Sequence, residues 1–341
     1  MNKPMRMLVQ AAVVLSTVSI ATAAQAEAEF KLRWGHYLGN SKFLKPEQDF
    51  AKAIEERTKG RVTIEIAYAG ALGKGNEVLT LAGRGAIDMA SVVPGYYADQ
   101  LRFWKAFQIP FVFSSPKQAI EVSIASYKEL PPFKAELDKM NVRFLFHQPL
   151  GQYYLTGPSA DCDSVDGLKG KKVRSFGADI PQVQGAIGAV PVTIGVGDIY
   201  EALQRGSLDY SFLNPGNIEA NKLYEPGKYS CGPIMSIAGH LIVIGNRTWD
   251  RLPKDIQDIF LDQAAKSQAE YIPFLDAIEG EAMEKIKAGG GIFKPFPAAE
   301  MAKWRKASPD LLAAWVKGME ADGRGAEAAA VAKRWRELTA N

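Results

Sequence analysis

Histidine and cysteine are scarce in this chain: three and two, respectively, in 341 residues. Two cysteines are too few ligands for a structural zinc site, and Cys162 and Cys231 lie too far apart for CxxC redox chemistry. His36, His147 and His240 are scattered singly and give little support to a histidine-based active site. Nucleophile elbows, HExxH and carboxylates paired at an arguable geometry are all missing. The glycine-rich loop GALGKG, residues 70–75, lacks the GxxxxGK[ST] spacing that would cradle a nucleotide phosphate. No basic run is longer than the pair Lys171 and Lys172, so the concentrated positive face of a nucleic-acid binder is absent. Beyond the N-terminus no apolar run approaches the roughly 20 residues that a bilayer-spanning helix needs.

What the chain does have begins with Lys3 and Arg6, an apolar run from Met7 to Ala21, and the small-residue triplet Ala24-Gln25-Ala26. These read as an export signal over residues 1–26, with cleavage expected before Glu27. No cysteine follows the apolar run, so a lipid anchor is not expected. Loss of Lys3 and Arg6 leaves 39 basic against 38 acidic residues, a net charge of +1 on a soluble chain expected in the periplasm. In that oxidising compartment the even pair Cys162 and Cys231 is expected to form a disulfide.

One stretch occurs twice. Residues 77–94 read EVLTLAGRGAIDMASVVP and residues 198–215 read DIYEALQRGSLDYSFLNP. Aligned without a gap, they share Arg84 with Arg205, Gly85 with Gly206, Asp88 with Asp209 and Pro94 with Pro215. Each copy is an amphipathic helix that stops at a glycine, followed by a short apolar strand. Similarity at so long an offset fits two lobes built alike, with a crevice between them.

The elements around the repeats agree. EFKLRWGHYL reads as a strand, residues 45–58 as a helix with an apolar stripe at Phe50, Ala53 and Ile54, and RVTIEIAYAG as an alternating strand. With the first repeat they make a βαβαβ unit, the sign of a mainly parallel sheet flanked by helices. KKVRSF, IPQVQGAIGA, VPVTI and the second repeat run through the same order again. Residues 27–150 are therefore assigned to lobe 1 and 151–239 to lobe 2, with residues from about 240 to 341 returning to lobe 1. HLIVIGN is expected to cross back as a strand, and helical spacing from Lys254 to about Ala288 predicts a long helix that Pro273 should kink. EAAAVAKRWREL is expected to pack on the outside.

Taken in order, LRWGHYL, the run from FAKAIEERTKG to GRGAIDM, FQIPFVF, VDGLKGKKVR, EALQRGSLD, KLYEPGKY and NRTWDRLP resemble the substrate-binding protein of a tripartite ATP-independent periplasmic (TRAP) transporter, solute-binding protein family 7. The resemblance covers nearly all of the mature chain. It implies a two-lobe periplasmic binding fold with a long C-terminal helix spanning both lobes, which closes on a small organic acid and delivers it to membrane permease subunits.

Arg174 heads the candidate ligand residues. It sits at the end of a predicted lobe-2 strand, where strands of open α/β sheets face the ligand crevice, and its planar fork matches a carboxylate. The resemblance puts the family's carboxylate-binding arginine at this position. It also implies an asparagine contact that falls on Asn214, or on Leu213 when counted back from KLYE. Where many relatives carry a second arginine this chain has Tyr153, which makes a dicarboxylate held at both ends less expected. Trp34, Tyr37, Tyr96, Tyr97, Tyr153, Phe176 and Phe212 fall at or just beyond predicted strand ends and suggest a monocarboxylate with an apolar or aromatic body. His36 and Glu77 are candidates for hydrogen bonds from lobe 1, His36 equally for a satisfied structural histidine. No cofactor, metal, nucleic acid or catalysis is expected, and the protein is expected to be a monomer. The competing readings are a binding component of an ATP-driven importer and an exported enzyme, a lyase or hydrolase, acting in the cleft.

Overall fold

The computed structural model describes residues 28–235 and 239–340; the expected export signal and its cleavage point lie outside them. The first βαβαβ unit is β1 (Phe30–Gly35), α1 (Lys45–Arg57), β2 (Val62–Ala67), α2 (Val78–Gly83) and β3 (Met89–Val92). Two helices follow, α3 (Pro116–Glu129) and α4 (Pro131–Lys139), and then the strands β4 (Val142–Gln148) and β5 (Tyr154–Gly157). The second unit is β6 (Lys172–Ser175), α5 (Ile180–Ala186), β7 (Val190–Thr193), α6 (Ile199–Gln204) and β8 (Ser211–Leu213). The chain continues through α7 (Pro215–Ala220), β9 (Tyr229–Gly232), β10 (His240–Gly245), α8 (Asn246–Trp249) and α9 (Lys254–Ala288). It closes with β11 (Ile292–Pro295), α10 (Ala298–Ala307), α11 (Leu311–Glu320) and α12 (Gly325–Thr339).

The repeated residues do the same work in both units. Gly85 and Gly206 take φ of +72° and +67°, a left-handed conformation that ends α2 and α6 and that a side chain would strain. Three residues later the aspartate pins the neighbouring strand. Asp88 Oδ2 accepts from the Arg33 N–H at 2.8 Å, and Asp209 Oδ2 accepts from the Lys172 N–H at 2.7 Å. The aspartate amides return a bond to the same residues, Asp88 to Arg33 O at 2.9 Å and Asp209 to Lys172 O at 2.8 Å. A helix stop and a strand clamp are thus encoded in one short motif.

The two sheets are built to one plan. The first has the order β2-β1-β3-β10-β4, with β1 parallel to β2 and β3, and β10 antiparallel to both its neighbours. In the second, β11-β9-β5-β8 is extended by the parallel pair β6-β7, which joins β8 through the Val173–Tyr210 bridge. Read as β7-β6-β8-β5-β9, it matches the first sheet strand for strand. β10 and β5 occupy the same place, and each reaches it by crossing from the other lobe.

Two expectations need correction. Residues from about 240 onward do not all return to lobe 1. β11 lies parallel to β9, Ile292 opposite Tyr229, and Trp304 of α10 donates to Val183 O at 2.8 Å. β9 would otherwise leave its outer backbone edge unpaired, and β11 covers it. The last helix is not merely external either, because Trp335 is fully buried, its ring 4.6 Å from that of Phe107, and its Nε1–H donates to Ser126 Oγ at 2.8 Å. There it completes an aromatic core with Phe113 and Phe133.

α9 is a single helix of 35 residues that continues through Pro273 and spans about 52 Å at 1.5 Å per residue. Its first half packs on α1 and β4, its second on α7 and β11. Gln268 interrupts the apolar stripe for a reason: its amide pairs with both backbone groups of His147, accepting at 2.7 Å and donating at 2.8 Å. Tyr271 donates to Pro149 O at 2.7 Å, so α9 holds the segment that leaves β4 for the second lobe. Within that lobe Cys162 and Cys231 are joined, with Cα atoms 5.6 Å apart, tying the turn after β5 to β9.

Candidate functional site

Because Arg33 and Lys172 hold equivalent aspartates, the carboxyl ends of β1 and β6 correspond residue by residue. Gly35, His36 and Tyr37 in the first lobe match Arg174, Ser175 and Phe176 in the second. Such strand ends are where open α/β sheets take ligands.

At the β6 end, the Arg174 side chain is largely enclosed, the residue being 7% exposed. It stacks over Phe176 at 4.4 Å and makes only two long contacts, Nε to Ile194 O and Nη1 to Phe212 O, both 3.4 Å. Among the described residues no carboxylate lies within ion-pair distance of it. Burial lowers its pKa, opposed by the Tyr153 and Tyr96 phenols. A buried guanidinium without a counter-ion is costly to keep, and an anion arriving from solvent would supply the missing charge.

Aromatic side chains from both lobes surround it. Tyr153 rests on Phe176 and Phe212, with ring centroids 5.9 and 5.0 Å away, and burial raises its phenol to about 12. Phe212 is fully buried beneath it. From the first lobe, Tyr96 is 55% exposed and stands edge-on to Tyr37 at 6.2 Å. The Tyr96 phenol is within electrostatic reach of Tyr37, Tyr153 and Arg174, which brings the ends of the two sheets into one neighbourhood.

Behind Tyr37 lies a buried network that sequence reading missed. His36, Glu47 and His240 are each 0% exposed and converge. Glu47 Oε1 is 3.2 Å from His36 Nε2 and 2.9 Å from His240 Nε2, and Glu47 Oε2 accepts from Ser91 Oγ at 3.3 Å. Gln148 Oε1 is 3.0 Å from His240 Nε2, and the Tyr37 hydroxyl is 3.2 Å from His240 Nδ1. Burial alone would raise the Glu47 pKa, but the two imidazoles and their hydrogen bonds outweigh it and hold it at about 2. Burial also lowers the pKa of His240, so the ring is neutral at pH 7. These three residues are of metal-binding types, with ligand atoms within 4.8 Å of one another. The Leu38 N–H, however, donates to His36 Nδ1 at 2.9 Å, which leaves the ring proton on Nε2 facing Glu47. A protonated nitrogen offers no lone pair to a cation, so the trio is built as a hydrogen-bond network.

Four other expected residues sit elsewhere. Trp34 is fully buried inside lobe 1, its Nε1–H on Ser91 Oγ at 2.9 Å and its ring edge-on to Phe50; strand alternation turns it into the core and away from the crevice. Tyr97 is likewise structural, donating to Gly75 O at 2.8 Å and accepting from Leu79 N at 3.0 Å. Glu77 is exposed and folds back on its own turn, accepting from Lys74 N at 2.8 Å. His36 has both ring nitrogens engaged and stacks behind Tyr37 at 5.2 Å.

Asn214 is buried at the start of α7, while Leu213 is a buried residue of β8 paired with Tyr154. Asn214 Nδ2 donates to Glu279 Oε1 at 2.5 Å, and its Oδ1 accepts from Asn217 Nδ2 at 2.5 Å. Glu279, on α9, also accepts from Gly216 N at 3.4 Å and lies against Gly151 in the crossing segment. Burial raises its pKa to about 7, with the Asn214 and Gly216 bonds pulling the other way.

Of the residues missed, Glu47 left a trace. It is a charged side chain three residues before Phe50 and seven before Ile54, on the apolar stripe of its own helix. His240 and Glu279 left none, since their partners lie far away in the chain.

Comparison with known proteins gives a consistent picture. A family description, bacterial extracellular solute-binding protein, family 7 (DctP), matches residues 38–318. The chain is 28% identical over 279 residues to a monocarboxylate 2-oxoacid-binding periplasmic protein of Nostoc sp., covering 76% of this chain and 72% of that one. It is 23% identical over 307 residues to the C4-dicarboxylate-binding periplasmic protein of Rhodobacter capsulatus, covering 88% and 91%. Among solved structures it resembles a TRAP periplasmic solute-binding protein from Chromohalobacter salexigens with bound D-glucuronate, at a TM-score of 0.78 and 19% identity over 90% of this chain and 99% of that one. A Bordetella pertussis extracytoplasmic solute receptor binding pyroglutamic acid superposes at a TM-score of 0.76 and 18% identity, over 89% and 99%. These two likenesses establish the fold.

Proposed function

The chain belongs to family 7 of the bacterial extracellular solute-binding proteins, the periplasmic receptors of TRAP transport, and on that footing we propose that it captures a monocarboxylic acid with an apolar or aromatic body. The observation that carries the proposal is the enclosed, counter-ion-free guanidinium of Arg174 between Phe176, Tyr153 and the strand ends. An incoming carboxylate would take two parallel charge-assisted bonds from it. Its nearest side-chain neighbours are aromatic, and Tyr153 stands where a second cation would be needed to hold a second carboxylate.

The family is one of transport receptors, and the proposed cycle has no chemical step. Acid binds at Arg174, the lobes close about the segments that cross between the sheets, and the acid passes unchanged to the membrane permease. Asn214 keeps a second amide N–H that a ligand could take while its first holds Glu279, which makes the α9 contact a natural place for closure to be felt. The receptor acts as a monomer in this reading.

The test is calorimetric titration of the mature protein against a panel of mono- and dicarboxylates, repeated with Arg174→Ala and Arg174→Lys. A monocarboxylate should bind and be recovered unaltered, and both variants should bind it poorly while folding normally. Undiminished affinity in Arg174→Ala would place the carboxylate elsewhere.

A further inference from the structure

We infer that Tyr37 presents the ligand with an acceptor-only oxygen, so that the acid this protein selects carries a hydrogen-bond donor, a hydroxyl or an ammonium, on its first-lobe side. The inference rests on the reading of the cleft given above and deepens it by naming the substrate class.

The Leu38 N–H points at His36 Nδ1 at 2.9 Å, so that nitrogen is an acceptor and the ring proton is on Nε2, directed at Glu47. Glu47 takes bonds from both sides and from Ser91 and therefore acts as acceptor throughout. His240 Nε2 stands between two acceptors, Glu47 Oε1 at 2.9 Å and Gln148 Oε1 at 3.0 Å, and has to carry a proton. The neutral ring then leaves its lone pair on Nδ1, 3.2 Å from the Tyr37 oxygen. Two lone pairs cannot face each other, so the Tyr37 O–H points inward to His240. Its oxygen has nothing but lone pairs left for the cleft.

The other tautomer of His240 would aim a lone pair at the Glu47 carboxylate in a site closed to water, where an unpaired polar contact is most expensive. Glu47 and His240 are thus positioning residues, and Tyr37 is the specificity-determining one. A ligand hydroxyl or ammonium would pair with the Tyr37 oxygen. A carbonyl or a second carboxylate would set acceptor against acceptor, and a bare methylene would leave the oxygen unpaired.

The experiment has two readouts on the mature chain. Nitrogen-15 NMR of the imidazoles should find the proton of both His36 and His240 on Nε2. Calorimetry then compares matched acids: 3-phenyllactate and phenylalanine with phenylpyruvate and 3-phenylpropionate, and 2-hydroxyisocaproate and leucine with 2-oxoisocaproate and isocaproate. In at least one series the donor-bearing member should bind about 10-fold or more tightly than its partners, and Tyr37→Phe should bring that ratio close to one. Glu47→Gln can donate to His240 Nε2, turn the tautomer over and free the Tyr37 O–H, so the ratio should reverse in favour of the oxo acid. A Nδ1 proton on His240 in the wild type overturns the inference, as does a donor-free acid bound equally well. If binding depends on Arg174 but shows no such preference, only this inference falls; if no acid in the panel binds, or Arg174→Ala binds as well as wild type, the carboxylate reading falls with it.

Discussion

The two lobes share a plan down to the aspartate that clamps each leading strand, yet they spend the residues after that clamp differently. In lobe 1 the strand end buries a carboxylate under two imidazoles and a tyrosine, a closed set of partners around Glu47. In lobe 2 the matching strand end buries a guanidinium whose only hydrogen-bond acceptors among the described residues are two carbonyls at 3.4 Å. One site is satisfied by the protein itself; the other, in the function proposed above, takes its counter-ion from the ligand. In that reading two similar backbones divide the labour, lobe 1 fixing the polarity of the pocket and lobe 2 supplying its charge.

That contrast predicts opposite results from removing the charge in each lobe. Glu47→Ala leaves two buried imidazoles and the Ser91 hydroxyl without their common acceptor, and should destabilise the fold by about 3–5 kcal/mol, read from the urea midpoint. Arg174→Ala should move that midpoint little while costing about 2–5 kcal/mol of binding, or roughly 30-fold to several-thousand-fold in affinity. Equal losses of stability in the two variants would break the comparison.

The disulfide also belongs to lobe 2 alone among the described residues. It closes a loop with a sequence separation of 69, so replacing Cys162 and Cys231 with serine should cost about 2–4 kcal/mol. Hydrogen exchange should show the loss in β5, β8 and β9, with β1 and β3 protected longer.

A smaller effect sharpens the contrast through pH. Glu279 has its pKa raised from 4.5 to about 7 in the folded protein. The native state therefore holds that proton more tightly than the unfolded chain, and the stabilisation is full below about pH 4.5 and lost as pH rises through about 7. Glu136, buried in lobe 1 beneath the amides of Phe103 and Trp104, is also raised to about 7 by burial and slopes the same way. Glu47, held at about 2, has the opposite sign: its contribution is present above about pH 4.5 and lost as pH falls toward 2. Glu279→Gln should flatten part of the fall in urea midpoint between about pH 4.5 and 7 and leave the acid limb unchanged.

Much of this architecture was legible because it is written locally. The paired RG and D motifs announced two similar units, since a helix stop needs its glycine and a strand clamp its aspartate at fixed spacing. The helix from Lys254 to Ala288 followed from periodicity. Arg174 stood out because a strand end and a family landmark coincided there. What escaped was non-local. Glu47 and His240 are 193 residues apart, and only the folding of α1 against the returning β10 makes them partners. Trp34 was misplaced for a related reason: period-two alternation says that a side chain points to one face, but the register that decides which face is set by the helix packed on it. GIFKPF reads as a short strand from sequence, but the lobe that β11 joins does not, because a four-residue strand acquires its place only from the edge it covers.

The aromatic core of lobe 1 closes on Trp335, a few residues from the chain's end, and the chain reaches it only after visiting lobe 2 twice. Neither lobe is therefore a continuous stretch of the polypeptide, and a fragment that stops before α12 lacks the Trp335 ring that packs on Phe107 and Phe113. During synthesis the aromatic core of lobe 1 stays without its last ring until α12 is made.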